Sequence, residues 1–228
     1  PWLRKKINCL MSVVSDRTAY VEGEVWQGAA RGKKDVIYLA VGTGIGAGIM
    51  IEGRVIHGRS DLAGAAGWLA LNPEFKPAYK RTGCFEAEAS GQALYWKSRE
   101  FIRRYPGALT LNGQAKSAVI KNPVEILCEA ARSSQPEAVK LISEIQNYLA
   151  MGVANLVSLF NPEMIVLGGG VFKSADLFFE PVKKNFKLWA QPLAAKEVEI
   201  VLSSLGQEAA LFGCARSALT CLGNKSQV

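Results

Sequence analysis

Residues 42–48 form a glycine-rich run whose backbone could bind an anion. The run reads GTGIGAG, so four of its seven residues are glycine and Thr43 adds a hydroxyl group. Glycine adopts positive φ angles and carries no Cβ atom, so several backbone N–H groups can converge on one anion. A glycine-rich hairpin without any ligand is the simpler alternative, and the run alone leaves both open. No Lys-Ser or Lys-Thr pair follows, so the run is not a Walker loop.

Two carboxylates stand where predicted helices begin. Asp16 follows an apolar stretch at 9–14, which is predicted as a strand, and opens a helix predicted at 17–30. A carboxylate that faces a cleft at the end of a strand can act as a general base, although the spacing alone favours Asp16 as a helix cap, and one carboxylate can do both. Glu86 lies in the first turn of a helix predicted at 85–104. It could bind a ligand or simply complement the helix dipole.

Strands and helices alternate along the predicted pattern, which favours an α/β fold with a mixed sheet and flanking helices. The remaining strands are predicted at 36–41, 49–51, 164–167 and 198–202, and the remaining helices at 124–132, 137–160, 171–186 and 208–222. A second glycine run, Gly168, Gly169 and Gly170, follows the strand at 164–167 and precedes a helix. A phosphate or a flat ligand can approach such a surface closely. We therefore expect a ligand cleft at the strand ends.

Composition narrows the class of protein. The chain has 228 residues, 49% of them hydrophobic, and can bury a substantial core. Its net charge is +7, but basic and acidic residues alternate along the chain, which makes nucleic-acid binding unlikely for this segment and favours a small anionic substrate. Five widely spaced cysteines without a C-x-x-C pair are typical of reduced thiols, hence of the cytoplasm. No apolar run is long enough to cross a membrane.

Five motifs in fixed order resemble the ROK family of repressors, open-reading-frame proteins and sugar kinases, within the actin-like ATPase superfamily. The motifs are Ser15-Asp16 with Gly23-Glu24, GTGIGAG at 42–48, AGAAGW at 63–68, GCFEAEASG at 83–91 and NPEMIVLGGG at 161–170. The resemblance covers essentially the whole chain. It implies an α/β, actin-like ATPase (ribonuclease H-like) fold and a homodimer.

The resemblance also implies a role for each motif. Asp16 would take the proton from a sugar hydroxyl as that hydroxyl attacks the γ-phosphate of ATP, which is bound with Mg²⁺. Substrate-binding residues would be Ser15, Asp16, Trp68 and Glu86. Nucleotide-binding residues would be Gly42, Thr43, Gly44 and Gly46 in the first run, and Gly168, Gly169 and Gly170 beside the adenosine. No residue is predicted to bind a metal directly.

Several positions depart from the family pattern. Ser15 stands where the family usually has Asn, and Ala65 and Trp68 replace the Glu and His of its A-G-E-x-G-H motif. Only Gly83-Cys84 remains of its zinc motif, so a variant without structural zinc is predicted. Trp68 could present a flat apolar face to a sugar ring or could fill the core.

The family's first phosphate loop, D-x-G-G-T, is not found in the chain. We therefore expect an N-terminally incomplete fold, in which 1–14 end an N-terminal lobe and 15–228 form the C-terminal sugar- and nucleotide-binding domain. The leading hypothesis is an ATP-dependent kinase for a hexose or hexosamine hydroxyl. The alternatives are a non-catalytic sugar-sensing domain of a repressor, a pseudokinase, and a degenerate homologue that only dimerises.

Overall fold

A mixed five-stranded sheet forms the centre of the fold. The computed structural model describes residues 6–7, 11–106 and 122–223. The strands are β1 (Val36–Val41), β2 (Ile45–Ile51), β3 (Arg54–Val55), β4 (Met164–Gly168) and β5 (Glu199–Leu202), and their order in the sheet is β3-β2-β1-β4-β5. Strands β1, β4 and β5 are parallel, whereas β2 and β3 extend the sheet as antiparallel hairpins. The carboxyl ends of the three parallel strands therefore lie at one edge of the sheet.

The glycine run forms the turn of the first hairpin. Val41 pairs with Ile45, so Gly42, Thr43 and Gly44 make the connection between β1 and β2. The predicted second strand begins at Ile45 rather than at residue 49. Glycine is needed within this strand because a Cβ atom at Gly48 would lie 2.0 Å from the carbonyl oxygen of Arg17.

Nine helices in the described part of the chain flank the sheet. They are α1 (Asp16–Gln27), α2 (Tyr79–Thr82), α3 (Cys84–Ala89), α4 (Gly91–Arg104), α5 (Pro123–Arg132), α6 (Pro136–Phe160), α7 (Ala175–Asn185), α8 (Ala194–Glu197) and α9 (Ala209–Gly223). Short 3₁₀ turns occur at Ala66–Trp68, Gly170–Ser174, Phe186–Leu188 and Gly206–Glu208. Helices α5 and α6 begin with Pro123 and Pro136, as expected for a residue without an N–H donor.

The two faces of the sheet bury different residues, because successive side chains of a strand point to opposite sides. On one face, side chains of the strands pack with Val21 and Val25 of α1; these strand residues are Val36, Tyr38, Met50, Met164 and Val166. Helix α9 packs against α1. The other face joins the larger core cluster, which includes the apolar stripe of α6; its strand residues include Ile37, Leu39, Val41, Ile165 and Leu167. The predicted mixed sheet with flanking helices is confirmed.

Besides the start of β2 and the end of α1, which lies at Gln27 rather than at residue 30, three predicted elements differ from the structure. Residues 11–14 have no regular secondary structure and Val13 is 91% exposed, so the strand predicted at 9–14 is wrong for those residues. The helix predicted at 85–104 is two helices, because Ser90 accepts the Ala93 N–H at 3.1 Å and caps α4. The segment predicted as a helix at 171–186 begins as a 3₁₀ turn. The surface connection predicted at 105–117 lies mostly outside the described residues.

Candidate active site

An open cleft of about 850 Å³ lies at the carboxyl ends of β1, β4 and β5. Every predicted site residue except Ser15 lines it: Asp16, Gly42, Thr43, Gly44, Gly46, Trp68, Glu86, Gly168, Gly169 and Gly170. These residues come from stretches more than 150 positions apart in the sequence. The parallel strand ends bring both glycine runs to the same edge of the sheet, where the start of α1 also lies.

Asp16 is the first residue of α1, and its exposed side chain lines the cleft. One oxygen of the carboxylate accepts the N–H of the next residue, Arg17, at 2.8 Å. Ser15 occupies the N-cap position but makes no side-chain cap hydrogen bond. The N-cap alternative for Asp16 therefore does not describe its position in the helix. A carboxylate exposed to a cleft is accessible to a substrate hydroxyl.

Ser15 does not line the cleft itself, but its hydroxyl donates to Asp16 Oδ1 at 3.4 Å. The Arg17 Nε atom donates to Ser15 Oγ at 3.2 Å, and Nη2 donates to the carbonyl oxygen of Asp61 at 3.1 Å. Ser15 lines a separate small pocket instead. Arg17 itself lines the main cleft, and the sequence analysis missed it. The only feature of the sequence that pointed to Arg17 was its position directly after Asp16.

The hairpin turn presents donors to the cleft. The Gly42 N–H donates to the Gly44 carbonyl oxygen at 2.9 Å, and the Ile45 N–H donates to Glu86 Oε2 at 2.7 Å. No hydrogen bond to another described residue uses the N–H groups of Thr43 and Gly44. These two groups and the Thr43 hydroxyl are the donors with which the turn can bind an anion.

Trp68 stands on the wall of the cleft and does not fill the core. Trp68 is the last residue of the 3₁₀ turn Ala66–Trp68 and is 58% exposed. Ala65, three residues earlier, also lines the cleft and contributes only a methyl group. The core-filling alternative is therefore wrong. An exposed indole can cover the apolar face of a sugar ring.

The second glycine run lies close to two stacked tyrosines. A Cβ atom at Gly168 would lie 1.9 Å from the Tyr38 hydroxyl, so only glycine fits there. Tyr20 stacks on Tyr38, with ring centroids 5.0 Å apart, and both rings line the cleft. Burial raises the pKa of the Tyr38 hydroxyl above its ordinary value.

Four further polar or backbone positions on this side of the cleft were not predicted: Lys173, Ser203, Gly206 and Gln207. A fully buried carboxylate, Glu24 of α1, binds the loop that follows β5, at residues 203–207. It accepts the Ser203 hydroxyl at 2.5 Å and the Leu205 N–H at 3.2 Å. The sequence signal for Glu24 was its place in the Gly23-Glu24 motif. The hydrogen bonds from Ser203 and Leu205 to Glu24 join residues about 180 positions apart, so no local sequence pattern predicts them.

Residues 72–97 contain a compact ion cluster whose members do not line the cleft. Glu88 Oε1 accepts Lys76 Nζ at 2.6 Å and the Tyr79 hydroxyl at 2.5 Å, while Oε2 accepts Lys97 Nζ at 2.9 Å. Within the described ranges, no group of three or more His, Cys, Asp or Glu side chains could hold a metal ion. The predicted lack of structural zinc stays a prediction.

No helix in the described residues is long and apolar enough to cross a membrane.

Comparisons with known proteins bear on this site. The ROK family profile matches residues 2–220. A glucokinase of Halalkalibacterium halodurans is 31% identical over 207 residues, which are 89% of this chain and 62% of that protein. The chain thus spans less than two thirds of that relative's length.

Solved structures with the same fold include proteins of two kinds. A ROK family glucokinase from Streptomyces griseus, in complex with glucose and AMPPNP, is 28% identical with a TM-score of 0.76, over 94% of this chain and 70% of that one. A ROK family transcriptional regulator, a homologue of the Escherichia coli MLC protein, is 26% identical with a TM-score of 0.77, over 93% of this chain and 52% of that one. The ordered motifs, the mixed sheet and these matches agree: the chain belongs to the ROK family and has its actin-like α/β fold.

Proposed function

We propose that this chain is the sugar- and nucleotide-binding part of an ATP-dependent kinase that phosphorylates a hydroxyl group of a hexose or hexosamine. One observation carries the proposal: the Asp16 carboxylate and both glycine runs line a single cleft. A kinase needs a proton acceptor and an anion-binding backbone in one cleft, because phosphoryl transfer depends on positioning and charge neutralisation. The similarity to glucokinases supports the same activity.

The proposed reaction assigns a step to each part of the cleft. The sugar hydroxyl oxygen attacks the γ-phosphorus of ATP, the bond to the β,γ-bridging oxygen breaks, and the Asp16 carboxylate accepts the hydroxyl proton. The N–H groups of Thr43 and Gly44 stabilise the phosphate charge. Trp68 and Glu86 bind the sugar.

A bound Mg²⁺ would neutralise phosphate charge during the transfer. Among the described residues that line the cleft, the carboxylates are Asp16 and Glu86. Two carboxylates are too few to surround a Mg²⁺ ion alone, so the cleft suits an ion that arrives with the nucleotide. Mg²⁺ is usually held by one or two carboxylates together with phosphate oxygens and water. Asp16 is the residue that would contribute on the protein side, because the Glu86 carboxylate already accepts the Ile45 N–H.

A sugar-sensing domain without catalysis is the second candidate. The structural match to a ROK family transcriptional regulator favours it, as do Ala65 and Trp68, which replace two polar sugar ligands of the family motif. Such a domain would need the sugar site but not the Asp16 base.

Two assays on the same samples separate the candidates. ADP release from ATP and Mg²⁺ is measured across a panel of hexoses and N-acetylhexosamines, and the melting temperature is measured with each sugar. Sugar-dependent ADP release supports the kinase and identifies its acceptor. A sugar that raises the melting temperature without supporting turnover would contradict the kinase and favour the sensor.

A further inference from the structure

We infer that Glu86 also positions the phosphate-binding hairpin, so that one side chain links the sugar side of the cleft to the nucleotide side. This inference rests on the proposed function, because the role of the hairpin in nucleotide binding is part of that proposal. Glu86 is then a positioning residue for the nucleotide in addition to its predicted contact with the sugar.

Three hydrogen bonds join the segment around Glu86 to the hairpin. The Ile45 N–H donates to Glu86 Oε2 at 2.7 Å, and the Gly91 N–H donates to the Gly42 carbonyl oxygen at 2.7 Å. A longer bond of 3.4 Å runs from the Gln92 N–H to the Thr43 carbonyl oxygen. The turn between β1 and β2 is therefore held by the start of α4 and by a side chain of α3. Of these three bonds, only the one to Glu86 uses a side chain.

The glycine at position 44 is explained by the same contact. Gly44 does not adopt a positive φ angle, so its backbone conformation does not demand glycine. A Cβ atom there would lie 2.5 Å from Glu86 Oε2, and its three nearest neighbours all belong to the Glu86 carboxylate. The turn and the carboxylate thus pack without any intervening side chain. Any larger residue at position 44 has to displace the carboxylate from the Ile45 N–H.

This arrangement determines which donors the hairpin offers to a phosphate. The bond to Glu86 occupies the Ile45 N–H, which leaves the N–H groups of Thr43 and Gly44 to face the anion. A hydrogen bond to a charged acceptor is stronger than one between neutral groups, so the carboxylate fixes the end of the turn firmly. Removing it frees the turn to change shape even when no sugar is present.

The test measures nucleotide affinity without sugar. Binding of AMPPNP with Mg²⁺ is titrated calorimetrically for the native protein, Glu86→Ala, Glu86→Gln and the control Glu144→Ala, an exposed residue on α6. We expect Glu86→Ala to bind AMPPNP about five- to tenfold more weakly. Glu86→Gln keeps an acceptor for the Ile45 N–H and should stay within about twofold of the native protein, as should the control.

The outcomes separate the inference from the proposed function. If the native protein binds AMPPNP and Glu86→Ala binds it equally well, the inference is overturned and the proposed function stands. If the native protein does not bind AMPPNP, the proposed function fails and the inference fails with it.

A double-mutant cycle keeps the inference testable if Glu86→Ala is poorly stable. Gly44→Ala should lower the melting temperature by about 3 °C or more in the native background, because its methyl group displaces the Glu86 carboxylate. In the Glu86→Ala background the same change should lower it by less than half as much. Equal effects in both backgrounds would show that the carboxylate does not pack on the turn and would overturn the inference.

Discussion

An indole ring, that of Trp68, stands on the wall of the cleft where the family motif has a histidine. The ring is 58% exposed, and Ala65 beside it leaves space that a longer polar side chain would fill. A sugar bound there would lose hydrogen bonds and gain an apolar contact. At the scale of single residues, this position is where the chain departs most clearly from the family pattern.

Trp68→Ala should therefore weaken sugar binding and leave stability almost unchanged. Losing an aromatic contact with one face of a sugar corresponds to about 1–2 kcal/mol, so KM for the sugar should rise about five- to thirtyfold. The control is Trp96→Ala, an equally exposed tryptophan outside the cleft, at 55% exposure. Steady-state kinetics and thermal unfolding of both variants check this, and an unchanged KM in Trp68→Ala would contradict the assignment.

The residues that line the cleft could be predicted from sequence because their types and order are specific. Asp16, Glu86 and both glycine runs line the cleft as predicted. Ser15, whose role in substrate binding stays a prediction, does not line it, since its hydroxyl bonds Asp16 and Arg17, and Arg17 also bonds a carbonyl group 44 residues away. Such a contact leaves no local pattern.

The Glu88 cluster ties together elements that lie outside the cleft. Lys76 precedes α2, Tyr79 is the first residue of α2, Glu88 lies on α3, and Lys97 lies on α4. Burial alone raises the pKa of Glu88, but hydrogen bonds from Lys76, Tyr79 and Lys97 outweigh burial and lower the pKa to about 2. The side chain is only 7% exposed, so water screens these bonds weakly.

The cluster predicts a specific loss of stability in acid. Because the pKa of Glu88 is lower in the folded protein than its ordinary 4.5, its contribution is present above pH 4.5 and is lost as the pH falls toward 2. A pKa shift from 4.5 to about 2 corresponds to a contribution of about 3 kcal/mol. Urea unfolding between pH 7 and pH 2.5 should show a flatter decline for Glu88→Gln than for the native protein.

Glu100→Gln is the matched control for that series. Hydrogen bonds from Arg103 and Arg104 also lower the pKa of Glu100, but these ion pairs are exposed and water screens them. Exposed pairs contribute little, so the variant should follow the native pH profile closely. A Glu88→Gln profile parallel to that of the native protein would contradict the role of the cluster.

Helices α1 and α9 approach each other through glycine. A Cβ atom at Gly23 would lie 2.0 Å from the Ala209 carbonyl oxygen, and one at Gly213 would lie 1.8 Å from the Ala19 carbonyl oxygen. Both obstacles are backbone atoms, which cannot rotate away. The position of α1, which carries Asp16, is therefore fixed by backbone contacts with α9 that leave no room for a side chain at Gly23 or Gly213.

Gly213→Ala should destabilise the protein by about 2 kcal/mol or more, because the two helices must separate. The exposed Cys214→Ala change on the same helix serves as the control and should lie within about 0.5 kcal/mol of the native protein. Chemical denaturation measures both free energies of unfolding. If the free energy of unfolding of Gly213→Ala equals that of the native protein, the two helices do not pack this closely.

Element boundaries show where sequence patterns stop being informative. The hairpin from Val36 to Ile51 was predicted as a hairpin because an apolar run on each side of glycines is a local signal. The break between α3 and α4 was missed, since Ser90 and Gly91 break the helix through their bonds to Ala93 and to the hairpin. One of those partners lies about 50 residues away in the sequence.

At the scale of the whole molecule, the cleft exists because three parallel strands end at one edge of the sheet. Their carboxyl ends lead into Gly42, Gly169 and Ser203, which come from widely separated parts of the chain. The predicted strands and helices, together with the resemblance to the ROK family, predicted this architecture. The loop from Ser203 to Gln207 was not predicted as part of the site, because no residue type in it signals chemistry.

Asp16→Asn provides the most direct test of the central claim, which is that this cleft transfers a phosphoryl group with Asp16 as the base. The variant keeps the size of the side chain and removes its ability to accept the proton. Sugar-dependent ADP release should fall about 10²- to 10⁴-fold while the sugar still raises the melting temperature, and Asp176→Asn, away from the cleft, should retain native turnover. Turnover in Asp16→Asn equal to that of the native protein would contradict the account.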